Sequence, residues 1–239
     1  MATTFVLVHG AWHGGWCWIK AARLLTDAAH AVYTPTLTGL GERAHLARPE
    51  VDLEAHVQDV VATLETEELR NVVLVGHSYG GMVITGAAAR VPNRIARLVY
   101  LDAFVPDVGQ SVLSLLPSDR AEGFRKAAAE GDGWRVPPPP PARFGVTSQR
   151  DSDWLQRHLA PQPFRTLEQA AAAVPPASMG RTYVYCSSPA SGAFDGFAGR
   201  FRDDRKWRFH EVKTGHDAMV TAPGEIAKIL MAEGGKGKE

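Results

Sequence analysis

Residues 76–80 of this 239-residue chain read Gly-His-Ser-Tyr-Gly, set between the apolar run Val72-Val73-Leu74-Val75 and a helix-like stretch opening Met82-Val83-Ile84. A serine hydroxyl is a weak nucleophile until a base and an oxyanion site surround it. A turn from strand to helix supplies part of that setting. The sharp bend strains the backbone of Ser78 and pushes its Oγ out of the packing into a cleft. Gly76 and Gly80 flank it because a Cβ at either position would collide with the neighbouring strand and helix. The helix N-terminus that follows offers free N–H groups and a positive dipole end to a developing oxyanion.

The base expected for Ser78 is His216, in Lys213-Thr214-Gly215-His216-Asp217, after the last strand-like run and before the last helix. Histidine comes last in the chain order of nucleophile-elbow enzymes, and Gly215 frees the backbone that presents it. His77 leaves the turn in another direction and is read as packing or hydrogen-bonding under it. Two backbone donors complete the chemistry: the Tyr79 N–H, and the Ala11 N–H in the loop Val8-His9-Gly10-Ala11-Trp12-His13 after the first strand. His9 and His13 have the i, i+4 spacing of a metal pair. They sit on a strand end and a loop, with no acidic third ligand nearby, so no metal is expected.

The elements that must position these residues alternate between β-rich runs and helical patterns, as βαβ crossovers require. Strands are expected over 4–8, 31–36, 72–75, 98–101, 182–186 and 207–211, mostly as continuous apolar runs suited to a sheet covered on both faces. Helices are expected over 16–28, 53–69, 82–91, 194–201 and 223–232. In the second of these, Leu53, Val57, Val60, Val61 and Leu64 share one face, and Asp52 is placed to cap it. The expected architecture is α/β, with about six mostly parallel strands and helices on both faces.

Residues 1–105 and 177–239 form the core of that reading, and 106–176 a helical cap inserted over the serine. The insertion is too long for a plain connection in a compact sheet. Its prolines at 137–141 suit a stiff extended bridge. Trp12, Tyr79, Phe104, Trp134, Phe144, Trp154 and Met219 are the candidates to line a substrate pocket, with core packing as the competing role of each. An apolar, aromatic pocket favours small, uncharged, moderately hydrophobic substrates.

Bulk composition excludes more than it assigns. Lys plus Arg and Asp plus Glu number 26 each, so there is no electrostatic footprint for nucleic acid or an anionic membrane. No stretch approaches the length of a transmembrane helix, and the opening residues lack the basic start and long apolar run of a signal peptide. Cys17 and Cys186 are too few for a disulfide framework and read as core filler in a cytoplasmic protein. A monomer or homodimer is expected, with a frayed tail at 234–239.

Three segments together resemble the α/β-hydrolase superfamily: Val-Leu-Val-His-Gly-Ala-Trp-His-Gly-Gly-Trp at 6–16, Gly-His-Ser-Tyr-Gly-Gly at 76–81 and Gly-His-Asp-Ala-Met at 215–219. They are most similar to its methyl-esterase and hydroxynitrile-lyase branch. That branch includes bacterial esterases that also cleave the methyl carbamate of a benzimidazole fungicide. The resemblance extends to 33–43 and to Pro161-Gln-Pro-Phe in the cap. It implies cofactor-free hydrolysis of an ester or carbamate through an acyl-enzyme. The lyases of this branch carry a lysine after the catalytic histidine and a threonine in the first oxyanion loop. Asp217 and Ala11 stand there instead, which disfavours cyanohydrin cleavage.

A second departure concerns the acid. The family usually places an aspartate just after the strand expected at 182–186, but residues 187–192 contain none and the first acid is Asp195. Asp102, at the end of the strand beside the elbow strand, resembles the alternative position used by certain lipases and haloalkane dehalogenases. Flanked by Leu101, Ala103 and Phe104, its carboxylate is costly to bury without a partner. Asp102 is therefore the expected acid, Asp195 the reserve, and a capping or solvated role for Asp102 stays open. The absent acid also leaves room for a small-molecule receptor with a dormant triad.

Overall fold

The computed structural model describes residues 2–235. Of the tail expected to fray, residues 236–239 lie outside these. In chain order the elements are β1 (Thr4–Val8), α1 (Ile19–Asp27), β2 (Ala31–Tyr33), α2 (Leu53–Thr66), β3 (Val72–His77), α3 (Gly80–Arg90) and β4 (Ile95–Leu101). There follow α4 (Val112–Leu115), α5 (Ser118–Glu130), β5 (Arg135–Val136), α6 (Gln149–His158), β6 (Gln162–Pro163) and α7 (Arg165–Glu168). The chain then returns through β7 (Gly180–Cys186), α8 (Asp195–Arg202), β8 (Trp207–Val212), α9 (Ala218–Thr221) and α10 (Pro223–Gly234).

Six strands form one sheet in the order β2-β1-β3-β4-β7-β8, and every pairing is parallel. β1 and β3 are neighbours from which the chain winds outward in opposite directions. In such sheets ligands bind beyond the carboxyl ends of the strands at this switch point. The loop after β1 and the turn after β3 are the two segments that carry Ala11 and Ser78. β3 is buried at every residue, as its uninterrupted apolar run requires between two helical layers.

Several elements differ from expectation. β2 stops at Tyr33 rather than continuing to residue 36, consistent with Pro35, which has no N–H for a ladder. Residues 15–18 wind into a 3₁₀ turn before α1. α2 is capped by the Asp52 side chain on Ala55 N–H, but ends at Thr66 because Glu68 and Asn71 adopt left-handed backbone angles. Within 106–176 the segments are short helices around the two-stranded antiparallel β5–β6 ribbon. The proline run is extended only as far as Pro140, since Pro141 opens a 3₁₀ turn to Phe144. Cys17 and Cys186 are buried and free. No helix among the described residues is long and apolar enough to cross a membrane.

Candidate active site

Ser78 follows the last residue of β3 with φ 53°, a left-handed conformation that a non-glycine residue adopts only under constraint. The strain, about 1–3 kcal/mol in general, is held by hydrogen bonds on both sides of the residue. Ser78 N–H donates to Leu101 O at 3.2 Å, and its carbonyl accepts from Gly81 and Phe104. The glycines serve close approach, as expected: a Cβ on Gly80 would lie 2.7 Å from His9 O, and one on Gly76 2.6 Å from Gly80 O.

His216 lies in the turn between β8 and α9. Its Nδ1–H donates to Asp102 Oδ2 at 2.6 Å. This fixes the tautomer and leaves Nε2 as the basic nitrogen. Asp102 is 1% exposed, and its other oxygen accepts the Cys186 N–H at 3.2 Å, so the buried carboxylate has the partners that burial demands. Its own N–H extends the ladder to Val184 O, and its φ of 42° turns the side chain out of the strand direction. Asp195 is elsewhere, accepting the Tyr185 hydroxyl at 2.8 Å.

The imidazole of His216 is enclosed by rings. Phe194 stacks on it at 5.0 Å and 9°, and His77 lies 4.5 Å away. His77 donates Nε2–H to the His216 carbonyl at 3.0 Å, and burial, with His216 and His13 close by, pushes its pKa well down. It is a neutral strut beneath His216. His9 is likewise neutral, lowered to about 3 chiefly by burial; Nδ1–H donates to Gly10 O and Nε2 accepts Leu37 N–H. Both ring nitrogens of His9 and of His13 are occupied by protein partners. Among the described residues the ligand-type side chains that converge are His77, His216 and Asp217, with one ligand atom of each within 4.8 Å of the others. Within this group Asp102 holds His216 Nδ1, and the His216 carbonyl holds His77 Nε2.

The loop after β1 lies against the elbow: a Cβ on Gly10 would sit 2.9 Å from Ser78 Cβ. Trp12, with φ 66°, is secured by the cap on all three polar groups. Its N–H donates to Gln162 Oε1 at 2.9 Å, its Nε1–H to Val136 O at 3.0 Å, and its carbonyl accepts Ala160 N–H at 2.9 Å. Tyr79 is pinned from the other side, its hydroxyl donating to His56 Nδ1 at 2.9 Å while His56 Nε2–H donates to Thr38 O. Among the described residues neither Ala11 N–H nor Tyr79 N–H donates to a protein acceptor. Both donors are left for a ligand oxygen.

These residues open onto a cavity of about 700 Å³ walled by Ala11, Trp12, Ser78, Tyr79, Phe104, Phe144 and His216. Three pocket candidates are corrected. Trp154 packs edge-on against Trp16, Trp134 lies under the Arg135 guanidinium, and Met219 is wholly buried in α9; none lines the cavity. Phe124, Leu116, Pro137–Pro139 and Phe194 occupy that wall instead. Phe194 comes from the segment where the usual acid is missing. A ring takes the place beside His216, and the carboxylate comes from β4.

The pattern that describes the alpha/beta hydrolase family matches residues 5–229. A carbendazim hydrolyzing esterase from Nocardioides sp. (strain SG-4G) is 43% identical over 96% of this chain and 99% of its own length. Methylesterase 10 of Arabidopsis thaliana is 28% identical over 95% and 90% of the two chains. Among solved structures, an extracellular alpha/beta-hydrolase from a Paenibacillus species superposes with a TM-score of 0.87 at 27% identity, covering 98% of this chain and all of that one. With a parallel six-stranded sheet, a serine elbow after β3 and a histidine after β8, this chain belongs to the alpha/beta hydrolase family.

Proposed function

We propose that the protein is a serine esterase for small, moderately hydrophobic carboxylic esters and methyl carbamates. The observation that carries this reading is the hydrogen bond that buried Asp102 accepts from His216, which shares a cavity wall with Ser78. Ser78 Oγ adds to the substrate carbonyl as His216 Nε2 takes its proton. The negative oxygen is stabilised by the Ala11 and Tyr79 N–H groups. The tetrahedral adduct collapses, His216 returns the proton to the departing alcohol, and an acyl-enzyme remains. Water, deprotonated by the same nitrogen, releases the acid and restores Ser78. With a methyl carbamate the alcohol is methanol and the released carbamic acid loses carbon dioxide. The carbamate arm draws on the name of the Nocardioides relative and on a cavity large enough for a fused aromatic ring.

The test is labelling with a fluorophosphonate probe, followed by turnover of aryl, methyl and carbamate esters, carbendazim included. Ser78 should carry the label, and Ser78→Ala should abolish both labelling and turnover. An unlabelled Ser78, or activity retained in Ser78→Ala, refutes the esterase reading and favours a receptor.

A further inference from the structure

We propose that His13 and Asp217 form a buried ion pair that locks the oxyanion loop to the base-bearing loop, making both positioning residues for the esterase reaction proposed above. The two side chains are 1% and 0% exposed, and His13 Nε2 lies 3.1 Å from Asp217 Oδ2. The other ring nitrogen, Nδ1, lies 2.7 Å from the Ala11 carbonyl. Both nitrogens therefore face acceptors. A neutral imidazole has one N–H and would turn a lone pair toward an oxygen, so the arrangement requires a second proton in the pair.

The surroundings supply no other reason for that proton. His9 and His77 are neutral, pushed down chiefly by burial, and the Cys17 thiol is pushed up by burial and by Asp217. Burial alone would lower His13 as well, but the charge and hydrogen bond of Asp217 outweigh it and raise its pKa. Asp217 in turn depends on His13. Among the described residues its Oδ1 has no hydrogen-bond partner and is 3.9 Å from His77 Nε2, and its side chain does not cap α9 although it stands at the N-cap. A buried carboxylate in that position needs a cation.

The consequence is geometric. Ala11 O is held by His13, and the adjoining Trp12 N–H by Gln162, so the peptide plane next to the Ala11 N–H is fixed at both ends. Asp217 directly follows His216, and its own N–H is tied to Phe144 O at 3.0 Å. One proton thus joins the loop that stabilises the oxyanion to the loop that presents the base.

The experiment compares wild type, Asp217→Asn, His13→Gln and the double variant. Nitrogen-15 histidine NMR at neutral pH should show a doubly protonated imidazole that disappears in His13→Gln and, in Asp217→Asn, carries one proton only. Asp217→Asn keeps the shape of the side chain; its kcat on an aryl ester should fall by about tenfold or more with KM little changed, since a small misplacement of a reacting group costs up to about a hundredfold. The double variant should lose no more than the worse single one, because the two groups act as a unit. A folded Asp217→Asn with wild-type kcat, or a wild-type His13 carrying one proton, overturns the proposal. If turnover proves independent of Ser78, the esterase reading falls and the positioning role with it, whereas the NMR spectrum still decides the ion pair by itself.

Discussion

His216, after β8, donates its Nδ1 proton across 2.6 Å to Asp102, which directly follows β4, two strands away in the sheet. The contact is possible because Asp102 turns into a left-handed conformation at φ 42°, which aspartate and asparagine tolerate better than most residues. Asp102→Asn should therefore fold normally and fail chemically, since an amide favours the wrong histidine tautomer. The expected loss in kcat is about ten-thousand-fold, by comparison with the same change in a serine protease triad. Asp195→Asn, which removes the charge beside the Tyr185 hydroxyl but keeps an oxygen to accept it, should stay within a few fold of wild type. Steady-state hydrolysis of an aryl ester, with circular dichroism as the folding control, distinguishes the two; the reverse order would assign the acid to Asp195.

Phe194 stacks on the His216 ring at 5.0 Å and lines the cavity. Phe194→Ala removes one wall of the base and enlarges the space for substrate. Its kcat/KM should drop by about tenfold or more, since small misplacements of a reacting group cost up to about a hundredfold. Trp134→Ala is the control, because that indole lies outside the cavity wall, and its KM should stay within about twofold of wild type on the same substrates. Equal effects of the two substitutions would contradict the assigned pocket.

The elbow was legible because its constraints are local: the Cβ of any other residue at Gly80 would meet His9 O at 2.7 Å, so the motif and the fold carry the same information. Asp102 was legible for an energetic reason, a carboxylate among apolar neighbours that had to be paired. Gln162 and His56 were not. Gln162 meets Trp12 across 150 positions of sequence, and a lone glutamine beside a proline carries no periodic signal. Trp134 and Trp154 show the complementary failure. A large aromatic residue signals burial but not direction, and both found partners away from the cavity, Arg135 for Trp134 and Trp16 before α1 for Trp154.

Tyr79 carries the backbone N–H proposed as an oxyanion donor, while its hydroxyl serves the fold by donating to buried His56 Nδ1 at 2.9 Å. Tyr79→Phe separates the two functions. It leaves the peptide N–H in place and strips a fully buried imidazole of its donor, a loss worth about 1–3 kcal/mol when the partner stays unsatisfied. Chemical denaturation should register that loss, while kcat falls far less than in Asp102→Asn. A drop in kcat without a change in stability would show that the hydroxyl itself takes part in the reaction.

Glu233, 4% exposed in α10, collects Thr182 Oγ1 at 2.8 Å, Arg208 at 2.9 Å and His210 at 3.1 Å against the back of β7 and β8. Burial alone would raise its pKa, but the hydrogen bonds from His210, Thr182 and Arg208 prevail and lower it from 4.5 to about 2. A carboxyl group whose pKa is depressed on folding stabilises the protein above its unfolded value, and that contribution is lost as pH falls toward the folded one. The difference corresponds to on the order of 3 kcal/mol. Glu233→Gln should therefore lower the unfolding free energy measured by urea denaturation at neutral pH by a few kcal/mol. The gap from wild type should shrink between pH 4.5 and about 2, where the native carboxylate takes up its proton. Activity per folded molecule should be unchanged, because no member of this cluster lines the cavity. A gap that stays constant over the acid range would mean that Glu233 acts through packing rather than charge.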